Sequence, residues 1–529
     1  MLFNSFEFLL LFLPVAISGF YFLALFRRLE LVLLWLIACS LFFHGFWKAS
    51  YTWLFVVSML VNYALSLGFW YSRSTSKLRS VLILVVGLTF NLLLLGYFKY
   101  AIFFAGVAND VTGYSWDPGE IILPLAISFY TFQQIAYLVD CYRGDAPRYS
   151  LLQYVSYLAF FPHLIAGPIV QHRDLVAQLN SRRLLIARGE NFLCGIMIIW
   201  IGLFKKVMLA DGAAAYANPL FSAAAAGTSL TFTEAWMAAL LFSFVIYFDF
   251  SGYSDMAIGL ARLFNVKFPE NFASPYKAAN IVEFWRRWNI TLSRFLRDYL
   301  YIPLGGNRRG VLRRYGNILI TMLLGGLWHG AGWTFVIWGG LHGVYLVVAH
   351  LWLEAKRTLG LPAGGMMGRI LGRVLTFVAV VVAWVFFRSG TSQEAFSILS
   401  SMAGVNGLSL PSSLPVSMQG WIHSVFGTAI SFQGLVPHAD LPPGPFGIPE
   451  LGAVSLCVAL LIVVNVLPNT QQIMRLFRPV LYDSSQRLTG LARLLIWRPT
   501  LVHAAIGAAL GMYGMAHLES VKPFIYFRF

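Results

Sequence analysis

The sequence predicts an all-α, polytopic transmembrane protein with broken or re-entrant helices, and three observations carry that expectation. Hydrophobic residues make up 58% of the chain and charged residues only 11%, with a mean hydropathy of +0.71. A soluble domain carries about a quarter charged residues. A soluble chain of 529 residues could not cover its surface from so small a polar supply, whereas lipid removes that requirement. Apolar stretches of spanning length recur often enough for about ten or more spans. Two further apolar stretches are broken by proline or glycine where a spanning helix should continue.

The spanning stretches lie near residues 8–26, 30–47, 51–71, 81–106 and 120–139, then 190–210, 234–262, 370–388, 450–467 and 500–517. Roughly 20 apolar residues cross a bilayer, so each qualifies with a little tilt. The first follows no basic leader and reads as a retained helix rather than a cleaved signal. Residues 151–170 contain Pro162 and a Gly167-Pro168 break. Residues 317–353 are too long for one helix and are interrupted by Gly325, Gly326, Gly330 and Gly332.

Basic residues settle the expected topology. Clusters at Arg27/Arg28, Arg73/Lys77/Arg79, Arg143/Arg148 and Arg173/Arg182/Arg183/Arg188 are expected on the cytoplasmic side. So are those running from Lys267 to Arg314, Lys356 to Arg373 and Arg475 to Arg498. Segments 106–119, 213–233 and 389–449 have almost no Lys or Arg and are expected to face out. The last, rich in Pro, Gly and Ser, reads as a periplasmic loop able to form a small cap or partner surface. With both flanks cytoplasmic, 151–170 must dip in and return or lie flat, and 317–353 must be a hairpin turning near Gly330–Gly332. Broken helices at membrane depth are tolerated only where they are buried in protein or line a wet cavity, which points to a site. Residues 1–529 read as a single domain.

The formal charge of +16 is explained by topology and anionic headgroups, since the basic residues sit between apolar runs; nucleic-acid binding is not expected. Cys39, Cys141, Cys194 and Cys457 form no CxxC pair, so neither a zinc site nor a disulfide framework is expected.

Polar residues in apolar surroundings carry the functional signal. Asp249 and Asp255 lie in a span, where ionisable groups face the protein interior or water. They either pair with basic residues such as Arg286 or Arg287 and fix the fold, or meet substrate. Downstream, Trp285 to Asp298 has amphipathic helical spacing. Its arginines either touch headgroups or form a mouth in which Arg286, Arg287, Arg294 and Arg297, with Arg308 beyond, meet an anionic cofactor. Gly305-Gly306-Asn307-Arg308 reads as a turn whose amides approach phosphate. His329, in GGLWHGAGW, is either a satisfied core histidine or a proton-transferring group at the turn of the broken hairpin. His342 and His350 read as structural, and His163 as either. No GxSxG, HExxH, P-loop or dinucleotide fingerprint is present.

At these residues the chain resembles the membrane-bound O-acyltransferase family, in its bacterial branch that contains the alginate O-acetylation membrane subunit. The resemblance is carried by LLGYFKY (94–100), LPLAISFYTFQQIAYLVDCYRG (123–144), FFPHLIAGPIV (160–170) and YFDFSGYSDMAIGLARLF. It continues through NFxxPY, FWRRWNITLSRFLRDYLYIPLGGNR, GGLWHGAGWTFVIWGGLHG and the ending FIYFRF. It implies helices around a central funnel, with cytosolic acetyl-CoA on one side and an acceptor on the other. It implies that His329, of the family's WHG motif, is essential. Asn289 holds the second position the family uses, where this branch often has histidine and other branches asparagine. It therefore fits a hydrogen-bonding or oxyanion role rather than that of a base.

The implied activity is acetyl-CoA-dependent O-acetyl transfer across the bacterial inner membrane to an exported polysaccharide, alginate first, with a periplasmic acetyltransferase partner. No cofactor would be permanently bound, and acetyl-CoA would be the donor substrate. Acetylation of cellulose or another exopolysaccharide is the nearest alternative. A transporter or flippase, and a purely structural export subunit, are alternatives from other classes.

Overall fold

The computed structural model describes residues 1–72, 76–165, 167–360, 365–410, 414–426, 430–432, 441–442, 449–482, 488 and 490–518. Arg73 and the FIYFRF ending lie outside the described residues, as do parts of 389–449. The chain is helical throughout most of its length. Among the described residues the one strand pairing joins Leu408–Ser409 in parallel to Ile430–Ser431, and 389–449 also carries helices Ser392–Met402 and Val416–Phe426.

Among the described residues, seven helices are long and apolar enough to cross a membrane: Glu7–Ala24, Ala49–Ser72, Lys77–Thr112, Gly189–Ala225, Phe232–Leu263, Trp333–Thr358 and Met366–Arg388. Three shorter apolar helices, Leu29–Gly45, Glu450–Val466 and Leu501–Ala516, occupy other expected spans. Three expectations need correction. The helix after residue 81 continues to Thr112, past its expected end near 106. The stretch from 120 becomes helical only at Ile127, after Pro124 and a left-handed Ala126 (φ 63°). Residues 213–225 prolong the preceding helix through Pro219. An apolar run marks what lipid can cover and not where the helical backbone starts or stops, and Asp211–Ala225 is rich in helix-favouring alanine.

Phe232–Leu263 is the central post: almost every side chain is buried, and it packs against Gly189–Phe204, Asp211–Ala225 and Met366–Arg388. Glycines on facing helices let the backbones meet, as small residues do between membrane helices. A methyl group on Gly202 would sit 2.6 Å from the Gly252 carbonyl oxygen, and one on Gly259 equally close to that of Gly195. Asp249 and Asp255 therefore face that neighbour. Lys205 pairs with Asp255 at 2.6 Å and Lys206 with Asp249 at 2.8 Å; Thr470 and Gln471 add hydrogen bonds to Asp255. The fold-fixing reading of these aspartates is right in kind, but their partners are lysines of the facing helix, not Arg286 or Arg287.

The two broken stretches are broken as expected. Residues 151–170 contain a nine-residue helix, Leu151–Ala159, and a four-residue one, Phe161–Leu164, with Pro162 near its start. Nine residues rise only about 14 Å, far short of a bilayer. In 317–353, helix Val311–His329 ends and helix Trp333–Thr358 begins, with Gly330–Gly332 between them. The pair lies close because Gly326, Gly339 and Gly343 have no side chains to hold it apart: a methyl at Gly326 would collide with the Phe335 carbonyl oxygen.

Candidate active site

His329 is the last residue of its helix and is only 4% exposed. Aromatic rings wall it in: Trp328 at 4.9 Å, Trp338 at 5.0 Å and Phe387 at 5.5 Å between centroids. The helix it terminates leaves without the usual left-handed glycine, because Gly330 is extended (φ −159°). Its last carbonyls find partners elsewhere. Lys99 Nζ donates to the carbonyls of Trp328 (2.6 Å) and His329 (3.1 Å), and the Tyr100 hydroxyl donates to that of Leu327 (3.0 Å).

Asn289 is buried and left-handed (φ 40°), a conformation asparagine tolerates better than most side chains, and it starts the short helix Ile290–Leu296. Its neighbours hold that geometry. Ile290 N–H donates to the Asn271 carbonyl, and the Thr291 hydroxyl donates to Asn271 Oδ1 at 2.9 Å. The same hydroxyl accepts from Ile169 N–H at 2.9 Å, while Asn271 Nδ2 donates to Ser254. Thus the SGYS, NF, NIT and GPIV segments, far apart in sequence, knit one buried polar network beside Asn289. Next to it, Gln133, Tyr157, Gln171, Thr291 and Tyr299 help line a crevice with only about 10 Å³ of free space, room for a single water at most.

The two motif regions are brought together. Leu292, Phe295 and Leu296 of the asparagine helix cluster with Trp328, and Phe132 stacks between Phe295 (4.2 Å) and Trp328 (4.9 Å). On the other side, rings run from His329 through Trp338 and Trp384 to Trp288, which precedes Asn289. Trp285 Nε1 donates to His342 Nδ1 at 3.3 Å, so His342 ties the tryptophan-rich segment to the hairpin. His163 is satisfied on both nitrogens, by Gln133 and the Tyr157 carbonyl, which fits the structural reading.

The arginines divide. Arg286, Arg297 and Arg308 are exposed, with Arg297 paired to Asp298 at 2.7 Å. Arg294 lies over the Tyr482 ring at 5.4 Å. Arg287 is committed to Glu283 (2.6 Å) and to the Ala273 carbonyl (3.0 Å), so its guanidinium already serves the local fold. Gly305 and Gly306 both have positive φ, forming the expected turn, and Asn317 donates to the Gly306 carbonyl.

Sequence reading passed over Lys99, Lys205 and Lys206, although each is an ionisable residue within an apolar run, the signal that singled out the aspartates. It also passed over a buried cluster in which Asp140 Oδ2 receives the Tyr299 hydroxyl (2.9 Å), His172 Nε2 (2.9 Å) and Arg173 (3.4 Å). Burial, then the neighbouring carboxylate, raises the Tyr299 hydroxyl above the usual phenol range and keeps it a donor.

The sequence profile of the membrane-bound O-acyltransferase family matches residues 20–388. The peptidoglycan O-acetyltransferase of Helicobacter pylori is 44% identical over 436 residues, 78% of this chain and 81% of that protein. The probable alginate O-acetylase AlgI of Pseudomonas aeruginosa is 42% identical over 409 residues, 76% of this chain and 75% of that protein. The teichoic acid D-alanyltransferase of Bacillus subtilis is 26% identical over 282 residues, 51% of this chain and 70% of that protein. The multi-pass helical architecture and these matches make the protein a membrane O-acyltransferase, and the chain belongs to the membrane-bound O-acyltransferase family.

Proposed function

We propose that this chain takes acetyl groups from cytosolic acetyl-CoA and moves them across the inner membrane for O-acetylation of a polysaccharide, passing them to periplasmic acetyltransferase partners. The observation that carries the reading is the placement of His329: an imidazole at the break of a glycine-packed hairpin, walled by aromatic rings and joined through them to the Asn289 segment. Relatives named for O-acetyl transfer support the acyl group.

His329 acts as general base. It accepts the proton of an acceptor hydroxyl as that oxygen attacks the thioester carbonyl carbon. The tetrahedral intermediate then collapses with cleavage of the carbon–sulfur bond; the coenzyme A thiolate leaves and takes the proton, and the acceptor keeps the acetyl group as an ester. The Asn289 amide donates to the transient oxyanion. In a water-poor aromatic enclosure such hydrogen bonds are worth more than in water. Arg286, Arg294, Arg297 and Arg308 supply positive charge for the phosphates of coenzyme A; Arg287 is the weaker candidate because of its existing partners. No permanently bound cofactor is needed.

Alginate is the first acceptor to test. Peptidoglycan is the second, favoured by the 44% identical relative. Deleting the chain should strip O-acetyl groups from one envelope or exported polymer, and His329→Ala should reproduce the loss while the protein still accumulates in the membrane. Full acetylation in that variant would overturn the catalytic reading. A transporter or a structural subunit would consume no thioester, so release of thiol from acetyl-CoA by the purified protein separates the classes.

A further inference from the structure

We propose that Lys99 is a positioning residue for this site: its ammonium clamps the carboxyl end of the His329 helix and so fixes where the imidazole stands. The inference rests on His329 being the base.

A helix end leaves its last carbonyls without backbone partners, and in a membrane there is little water to satisfy them. The common solution, a left-handed glycine that folds the chain back onto those carbonyls, is not taken here, since Gly330 is extended. Three consecutive carbonyls, of Leu327, Trp328 and His329, are instead held from the side by Tyr100 and Lys99. Those two adjacent residues end a π-helical turn, Gly96–Tyr100, a widened turn of the kind found at functional sites. The same ammonium lies 5.9 Å from the centroid of the Trp328 ring, which also packs against the rings of Phe129, Phe132 and His329.

The placement also explains why a cation is tolerated. Among the described residues no carboxylate forms a salt bridge with Lys99, unlike Lys205 and Lys206. Its counter-charge is the negative end of the helix dipole, concentrated on the carbonyls it touches. A clamp of this kind would cost nothing in unpaired acid at a site that must deprotonate a hydroxyl. Because displacements near 1 Å can reduce a rate by ~10²-fold, loosening this end should appear in turnover before it appears in donor affinity.

The test uses the full-length purified protein in phospholipid vesicles, with acetyl-CoA as the probe. Lys99→Met keeps the length of the side chain and removes its charge and donors. We expect kcat for thiol release to fall at least ten-fold with KM for acetyl-CoA within two-fold, and deuterium exchange over residues 323–333 to rise. Lys99→Arg should recover much of both. If Lys99→Met does not accumulate, Lys99→Gln, which keeps shorter N–H donors, should show the same changes in smaller measure. Wild-type kcat and exchange in an accumulating variant would overturn the clamp, and so would a lowered kcat with unchanged exchange. Failure of the acetyl-transfer reading looks different: the wild-type protein itself would release no thiol, while exchange would still rise in Lys99→Met.

Discussion

Among the described residues, lysines sit within spanning helices, away from the helix ends, at two places, and they are used in opposite ways. Beside the central helix, Lys205 and Lys206 meet Asp255 and Asp249 at 2.6 and 2.8 Å, and the surrounding Thr470 and Gln471 complete the acid's hydrogen bonds. Charge there is cancelled by charge. At the hairpin break, Lys99 is matched by backbone carbonyls, and the titratable side chain nearby is an imidazole set among rings. The first arrangement holds helices together. The second holds one helix end still beneath an imidazole walled by Trp328, Trp338 and Phe387.

Substitutions should break the two regions differently. The largest effect is expected at the hairpin: His329→Ala should lower acetyl transfer by about 10²- to 10⁴-fold, the usual worth of a general base, with little loss of protein. Asn289→Gly keeps the left-handed backbone and removes only the amide, so a fall of about 10²-fold in kcat, measured as thiol release, would isolate oxyanion stabilisation. Wild-type turnover in that variant would leave Asn289 as a turn residue alone.

At the ion-paired region the readout changes from turnover to stability. Asp255→Leu strands Lys205 in an apolar setting and should cost about 3–5 kcal/mol, seen as a lowered Tm in detergent with kcat per folded molecule unchanged. Adding Lys205→Met should restore most of it. Gly326→Ala forces the hairpin helices apart and should cost about 1–3 kcal/mol, with a drop in kcat because His329 lies on the strained helix. The smallest effect belongs to the exposed arginines: Arg286→Ala should raise KM for acetyl-CoA by about two- to five-fold, in keeping with the modest worth of exposed ion pairs. Arg287→Ala should lower Tm instead, since Glu283 and the Ala273 carbonyl lose their partner.

Much of this was legible in the amino-acid sequence because membrane insertion speaks through composition and local punctuation. Spans show as apolar runs, and Gly330–Gly332 and Pro162 mark breaks where the helices do break. His329 stood out because glycines and tryptophans surround a lone imidazole. What could not be read was pairing at a distance. Asp249 and Asp255 were matched to arginines downstream, whereas packing of glycine against glycine turns them toward Lys205 and Lys206, which lie upstream on a different helix. Lys99 was hidden by its own span, since nothing local says that a helix end more than 200 residues later needs a donor. Helix ends at Thr112, Ile127 and Ala225 were misplaced because an apolar run reports what lipid can cover, not where the helical backbone starts or stops.

The widened turn at Gly96–Tyr100 makes the residue count of that helix matter as much as its chemistry. Excising one lipid-facing residue from it would leave the span hydrophobic and long enough to insert, yet would swing the flanking segments about 100° relative to one another. Lys99 and Tyr100 would then point away from the carbonyls of Leu327 to His329. In this stretch a deletion should be worse tolerated than almost any exchange of one apolar side chain for another, an unusual hierarchy for a helix whose neighbouring turns show so much surface to lipid.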